Sequence, residues 1–85
     1  MDRRVDYSSE AVRTLRRIDR ATSRRIREKV EILAREPEAL ANNVKALKGG
    51  GGLMRLRVGA WRVIYTADLV VLLALKVAPR GAAYD

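Results

Sequence analysis

The chain has 85 residues, with 18 Lys and Arg against 10 Asp and Glu, a formal net charge of +8, and neither histidine nor cysteine. That length makes one small domain, residues 1–85, with a thin core, since a chain of this size buries only about 60% of the surface its unfolded form exposes. The missing residue types exclude disulfides, thiolate metal sites, thiol nucleophiles and every dyad built on an imidazole.

No metal ion or cofactor is therefore expected, and any chemistry falls to Arg, Lys, Tyr, Ser, Thr, Asp or Glu. The opening residues MDRRVDYSSE hold no apolar signal core. No run reaches the roughly 18 apolar residues of a membrane span, so a cytosolic location without membrane contact is expected.

In chain order, residues 2–7 suit a short strand with Val5 and Tyr7 on one face. Ser8 or Ser9 suits a helix N-cap. Ala11, Leu15 and Ile18 then recur at helical spacing, with Arg13, Arg16 and Arg17 opposite. Asp19 suits the cap of a second helix, whose apolar stripe is Ile26, Val30 and Leu33. Its outer face carries Arg24→Glu28 and Arg27→Glu31 at i,i+4 spacing. Pro37 ends it, and so short a link predicts an antiparallel helical hairpin. Residues 38–52 form a connector, with Gly49–Gly52 as a flexible loop. After it the period changes to two. Met54, Leu56 and Val58 alternate with Arg55 and Arg57, and Trp61, Val63 and Tyr65 alternate with Arg62 and Ile64. Residues 69–77 (LVVLLALKV) are almost continuously apolar, as expected of a strand covered on both faces, and Pro79 stops it. The fold class is α+β, ordered β-α-α-β-β-β, with the helical pair packed on a small, mainly antiparallel sheet.

Charge is unevenly spread. Residues 1–40 hold eleven cations and eight anions, net +3; residues 41–80 hold seven cations and one anion, Asp68, net +6. Fourteen of the cations are arginine and four are lysine, and arginine's planar fork suits phosphate. If the helices cover the face bearing Leu56 and Val63, then Arg55, Arg57 and Arg62 project together from the other face. Arg80 joins them at a strand end. Such a cluster without an acidic partner suits a polyanion. Lys45 and Lys48 extend the basic surface. Arg62 is expected to point to solvent, so that its loss would leave no buried group unpaired. Tyr84 is the remaining reactive side chain, and nearby arginine charge would lower its phenol pKa.

The arrangement resembles the RelE/ParE superfamily of bacterial toxin–antitoxin toxins over nearly the whole chain. The resemblance rests on a tyrosine strand followed by SSEAVRTLRRID, then LAREP, ALKGG, RLRVGAWRVIY and VAPRGAAY. Its most specific part is RLRVGAWRVIY with R-x-x-x-Y some fifteen residues later. The chain departs at Leu53, where some RelE-like members have lysine, and at Ala78-Pro79, where Gly-His is common.

The resemblance implies one of two activities. RelE-like members enter the ribosomal A site and cut mRNA, and ParE-like members poison DNA gyrase. The closer match, to the RelE-like branch, implies a ribosome-dependent endoribonuclease that inhibits translation without a metal. Attack by the mRNA's own 2′-hydroxyl on the adjacent phosphate would be the reaction. Arg55, Arg62, Arg80 and Tyr84 then match the catalytic positions, with Arg57, Lys48 and Lys45 as RNA contacts. The implied partners are a cognate antitoxin with an acidic or amphipathic segment, the 70S ribosome with its mRNA, and operator DNA through the antitoxin complex. The alternatives are a ParE-like gyrase inhibitor and a module without catalysis that only pairs with an antitoxin.

Overall fold

Ser8 starts the first helix. The computed structural model, which describes residues 2–49 and 51–82, places its hydroxyl where it accepts from the Ala11 amide at 3.0 Å and donates to the Leu75 carbonyl at 2.5 Å. One side chain thus caps helix α1 (Ser9–Arg17) and ties it to strand β5 (Val71–Pro79). Asp19 caps α2 (Arg20–Arg35), accepting from the Thr22 amide at 2.9 Å. Pro37 opens a 3₁₀ segment, Pro37–Asn43, rather than continuing α2. The Arg24–Glu28 and Arg27–Glu31 spacings lie on α2 as expected. Among the described residues neither pair closes to an ion pair, whereas Arg4 and Asp6 do, at 3.3 Å.

The strands are β1 (Arg4–Tyr7), β2 (Val44–Ala46), β3 (Met54–Val58), β4 (Trp61–Ala67) and β5. They form one sheet in the order β1-β5-β4-β3-β2. β1 runs parallel to β5 and the other pairings are antiparallel. The expected order is therefore extended by one element. Val44–Ala46, placed in the connector from sequence, is an edge strand. Gly49, Gly51 and Gly52 lie in the turn of the β2–β3 hairpin and take positive φ of 63°, 57° and 91°, a region L side chains rarely adopt.

The core lies between the helices and one sheet face. Ala11 and Leu15 of α1 and Ile26, Val30, Leu33 and Ala34 of α2 pack on Leu56, Val58, Val63, Tyr65, Leu72, Ala74 and Val77. Tyr7 and Trp61 pack at its margin. The apolar run at 69–77 departs from expectation at its start. Leu69 and Val70 are 71% and 65% exposed in the β4–β5 turn, because Asp68 Oδ1 accepts from both the Val70 and Val71 amides at 2.8 Å and folds the turn there. The run is covered fully on one face and partly on the other: Leu72 and Ala74 are buried beneath the helices, while Val71 and Leu73 are half-buried on the other side. Among the described residues no helix is long and apolar enough to cross a membrane.

These contacts can be tested at two positions. Ser8→Ala removes a cap and a strand tie together and should cost about 1–2 kcal/mol, read by urea unfolding. Asp68 holds its carboxyl below the ordinary value of 3.8, chiefly through the Val71 and Val70 amides. A depressed folded value stabilises at pH above 3.8 and loses that stabilisation as pH falls through the folded value. Asp68→Asn should therefore lower stability at neutral pH, leave it nearly unchanged below the folded value, and so flatten the acid limb of a stability–pH curve.

Candidate nucleic-acid interface

Strand register decides which cations meet. Leu56 pairs with Val63 on the helix side, so Arg57 pairs with Arg62 on the opposite side, and Arg55 with Ile64. On the flanks, Lys45 of β2 pairs with Arg55, and Lys76 of β5 pairs with Ile64. Directly opposite residues have Cβ atoms about 4.5–5.5 Å apart. The Arg80 amide donates to the Ala60 carbonyl at 2.8 Å. That step past the Trp61–Pro79 pair returns Arg80 to the side of Arg62 and Ala78. Lys45, Arg55, Arg57, Arg62, Lys76 and Arg80 thus share the face that the helices leave open. None of β2, β3, β4 or β5 carries an Asp or Glu. Among the described residues, the acid that strand alternation places on this face is Asp6 on β1, at the sheet's far edge and paired with Arg4.

Depth separates these cations. Arg57, Arg80 and Lys45 are exposed and Arg55 is half-buried. Arg62 corrects the expectation of a solvent-facing side chain: it is only 6% exposed. Its Nη1 donates at 3.0 Å to both the Gly59 and Trp61 carbonyls. Alternation along a strand gives the face of a side chain, and the β3–β4 turn, curling back over β4, gives its depth. Gly59 takes a positive φ of 59° in that turn, and a Cβ there would meet the Arg25 guanidinium of α2 at 3.4–3.6 Å. Arg25 of the helical layer therefore lies close to the turn that holds Arg62.

Lys48 lies in the β2–β3 hairpin loop, off the sheet face. Tyr84 lies outside the described residues. Lys76 escapes a reading of the sequence; its signal is a lone cation inside an otherwise apolar run. The described tyrosines are unsuited to proton abstraction. Burial pushes the Tyr7 and Tyr65 phenols above their ordinary value of 10.0, with Glu31 adding to the rise at Tyr7. Both lie on the helix side of the sheet. The arrangement is suited to holding a phosphate backbone across the open face, with charge aimed at its oxygens.

A family model described as the ParE toxin of type II toxin–antitoxin systems, parDE, matches residues 5–84. Among solved structures, the chain is similar to one in the archaeal RelE–RelB complex from Pyrococcus horikoshii, at 36% identity and a TM-score of 0.79, over 98% of this chain and 100% of that one. It shares its fold with a chain of the toxin–antitoxin complex RelBE2 from Mycobacterium tuberculosis, at 24% identity, a TM-score of 0.80 and coverage of 94% and 93%. It also shares it with the YoeB dimer from Staphylococcus aureus, at 19% identity, a TM-score of 0.71 and coverage of 89% and 94%. Comparison with curated protein sequences gives no match.

The contrast in depth is testable. Arg62→Ala strips a donor from two carbonyls beneath a buried side chain and should destabilise by about 1–3 kcal/mol. Arg57→Ala removes an exposed charge beside a like charge and should shift stability by no more than about 0.5 kcal/mol. Thermal melts of the two variants read the difference directly.

Proposed function

The chain belongs to the ParE toxin family of type II toxin–antitoxin systems, and on that premise we propose that this toxin is a ribosome-dependent endonuclease that cuts mRNA and so blocks translation. The observation that supports this reading is the gathering of Arg55, Arg57, Arg62 and Arg80 on one sheet face, on strands without a carboxylate.

In the proposed reaction the 2′-hydroxyl oxygen of the mRNA bonds to the adjacent phosphorus while the bond from phosphorus to the 5′-oxygen breaks. A 2′,3′-cyclic phosphate and a 5′-hydroxyl result, with one proton leaving the 2′-oxygen and one reaching the 5′-oxygen. Arg55 and Arg57 take the phosphoryl oxygens, where charge develops. Arg62 adds a charge held in place by the Gly59 and Trp61 carbonyls, which avoids the reorganisation that a mobile side chain needs. Arg80 stands by the leaving oxygen. Tyr84 is the candidate base. The ribosome aligns nucleophile and phosphorus, a large share of the barrier in an intramolecular attack. Lys45 and Lys76 lengthen the charged track. The cognate antitoxin silences the toxin through an acidic or amphipathic segment, and operator DNA is reached through that complex.

A second reading, inhibition of DNA gyrase without nuclease activity, is favoured by the ParE description of the matching family model. Purified toxin should be tested on ribosome-bound mRNA by mapping the cut sites, beside a gyrase supercoiling assay. The proposal expects cleavage at the ribosomal A site with supercoiling untouched; inhibited supercoiling with intact mRNA would replace it by the second reading. Arg57→Ala should keep its melting temperature and its antitoxin and lose about 100-fold or more in cleavage.

A further inference from the structure

We propose that Lys76 is the proton donor of the reaction, the ammonium that protonates the 5′-oxygen as its bond to phosphorus breaks. The inference rests on the reading of the chain as an mRNA endonuclease and assigns a step that the arginines of the open face cannot perform.

Alternation along β5 would place Lys76 with Leu72 and Ala74, beneath the helices. A bulge turns it the other way. Tyr65 pairs with Ala74 and Ile64 with Lys76, so Leu75 is an extra residue with no counterpart on β4. Ala74 and Val77 consequently both belong to the core, and Lys76 joins the cations of the open face. The backbone of the bulge is fixed from the β1 side. The Ser8 amide donates to the Ala74 carbonyl at 2.9 Å and the Ser8 hydroxyl to the Leu75 carbonyl at 2.5 Å. Bulges re-aim side chains next to active sites, and this one turns an ammonium toward the arginines.

Ile64 makes the floor beneath them. It pairs with Lys76 on one side and with Arg55 on the other. It is only 2% exposed, although it faces away from the helices and lies outside the main core. Arg55 and Lys76 are half-buried, as expected of long cations that lay their stems on an apolar side chain and keep their charged heads outward. Arg62 lies two residues before Ile64 on the same strand. A phosphate seated over Ile64 therefore has Arg55 on one side, Lys76 on the other and Arg62 beside it. Arg80, which stands by the leaving oxygen, continues from the strand that carries Lys76, so the ammonium is on the leaving side.

A guanidinium does not give up its proton in a protein, whereas an ammonium can. Among the described residues the open face holds two ammonium groups, Lys45 and Lys76. Lys45 is exposed on the edge strand β2, and Arg55 separates it from Ile64. Lys76 is half-buried on an inner strand. In the proposed step the 2′-oxygen gives its proton to Tyr84 and bonds to phosphorus. The bond from phosphorus to the 5′-oxygen breaks, and Lys76 Nζ gives a proton to the departing oxygen. Water returns that proton to Lys76 before the next turnover.

The test replaces the 5′-oxygen at the cut site of ribosome-bound mRNA by sulfur, because a thiolate leaves without needing a proton. Lys76→Met keeps an unbranched stem over Ile64 and removes the ammonium. Lys76→Arg keeps the charge and removes the transferable proton. On ordinary mRNA both variants should lose about 100-fold or more in the single-turnover rate, the usual worth of a general acid. On the sulfur substrate both should cut at close to the wild-type rate, which also reports that they are folded. Equal losses on the two substrates would overturn the proposal, since Lys76 would then only bind or pack. Full activity of Lys76→Arg on ordinary mRNA would overturn it as well, because charge alone would suffice. So would rescue by sulfur in Lys45→Met or Tyr84→Phe in place of the Lys76 variants. A wild-type toxin that cuts neither substrate would reject the nuclease reading itself, an outcome distinct from all of these.

Discussion

Leu56 of β3 and Val63 of β4 face each other across the ladder, and neither has surface exposed to water. The open face of the sheet is set by that pair. Side chains alternate along a strand, so burying Leu56 sends Arg55 and Arg57 the other way, and burying Val63 does the same to Arg62. A slip of one residue would turn Leu56 and Val58 to water and drive two arginines beneath the helices. Each buried aliphatic side chain contributes about 1.5–3 kcal/mol, and an arginine in an apolar core costs several more. The core thus selects the register, and the register assembles the cations.

Charge gathered in this way works against folding, because like charges on neighbouring strands repel. What offsets it is the core on the other side of the same strands and, for Arg62, two carbonyls that accept from its guanidinium. The molecule measures 30 × 27 × 24 Å, about three Debye lengths at physiological salt. Cations on the open face and cations on the helical layer are therefore nearly independent electrostatically.

The parts of the fold visible in the sequence are those with a local signal. Ser8 and Asp19 mark the two helices, and Pro37 the end of the second, because caps and proline act within a few residues. The alternation around Leu56 and Trp61 marks β3 and β4 and the arginines' side of the sheet. Val44–Ala46 carries no such signal: three residues beside a glycine run have too little pattern, and their strand character comes from pairing with β3. Leu69 and Val70 resemble strand because they are apolar, whereas the Asp68 carboxylate, with two amides to accept, folds them into a turn. For Arg62 the alternation gives the correct face and the wrong depth, since depth depends on how a turn curls. Lys76 is hidden by the apolar run around it.

The pairing of β1 with β5 joins segments far apart in the chain. Arg4 lies beside Val71 and Tyr7 beside Ala74, and the Ser8 hydroxyl reaches Leu75 across 67 residues. Helix α1 rests on β5, so the first helix made during synthesis has no floor until almost the last strand emerges. Contacts this distant in sequence close late and slowly. A partly made chain therefore lacks the sheet that would align its arginines. The charged face is therefore aligned only once β5 has joined the sheet.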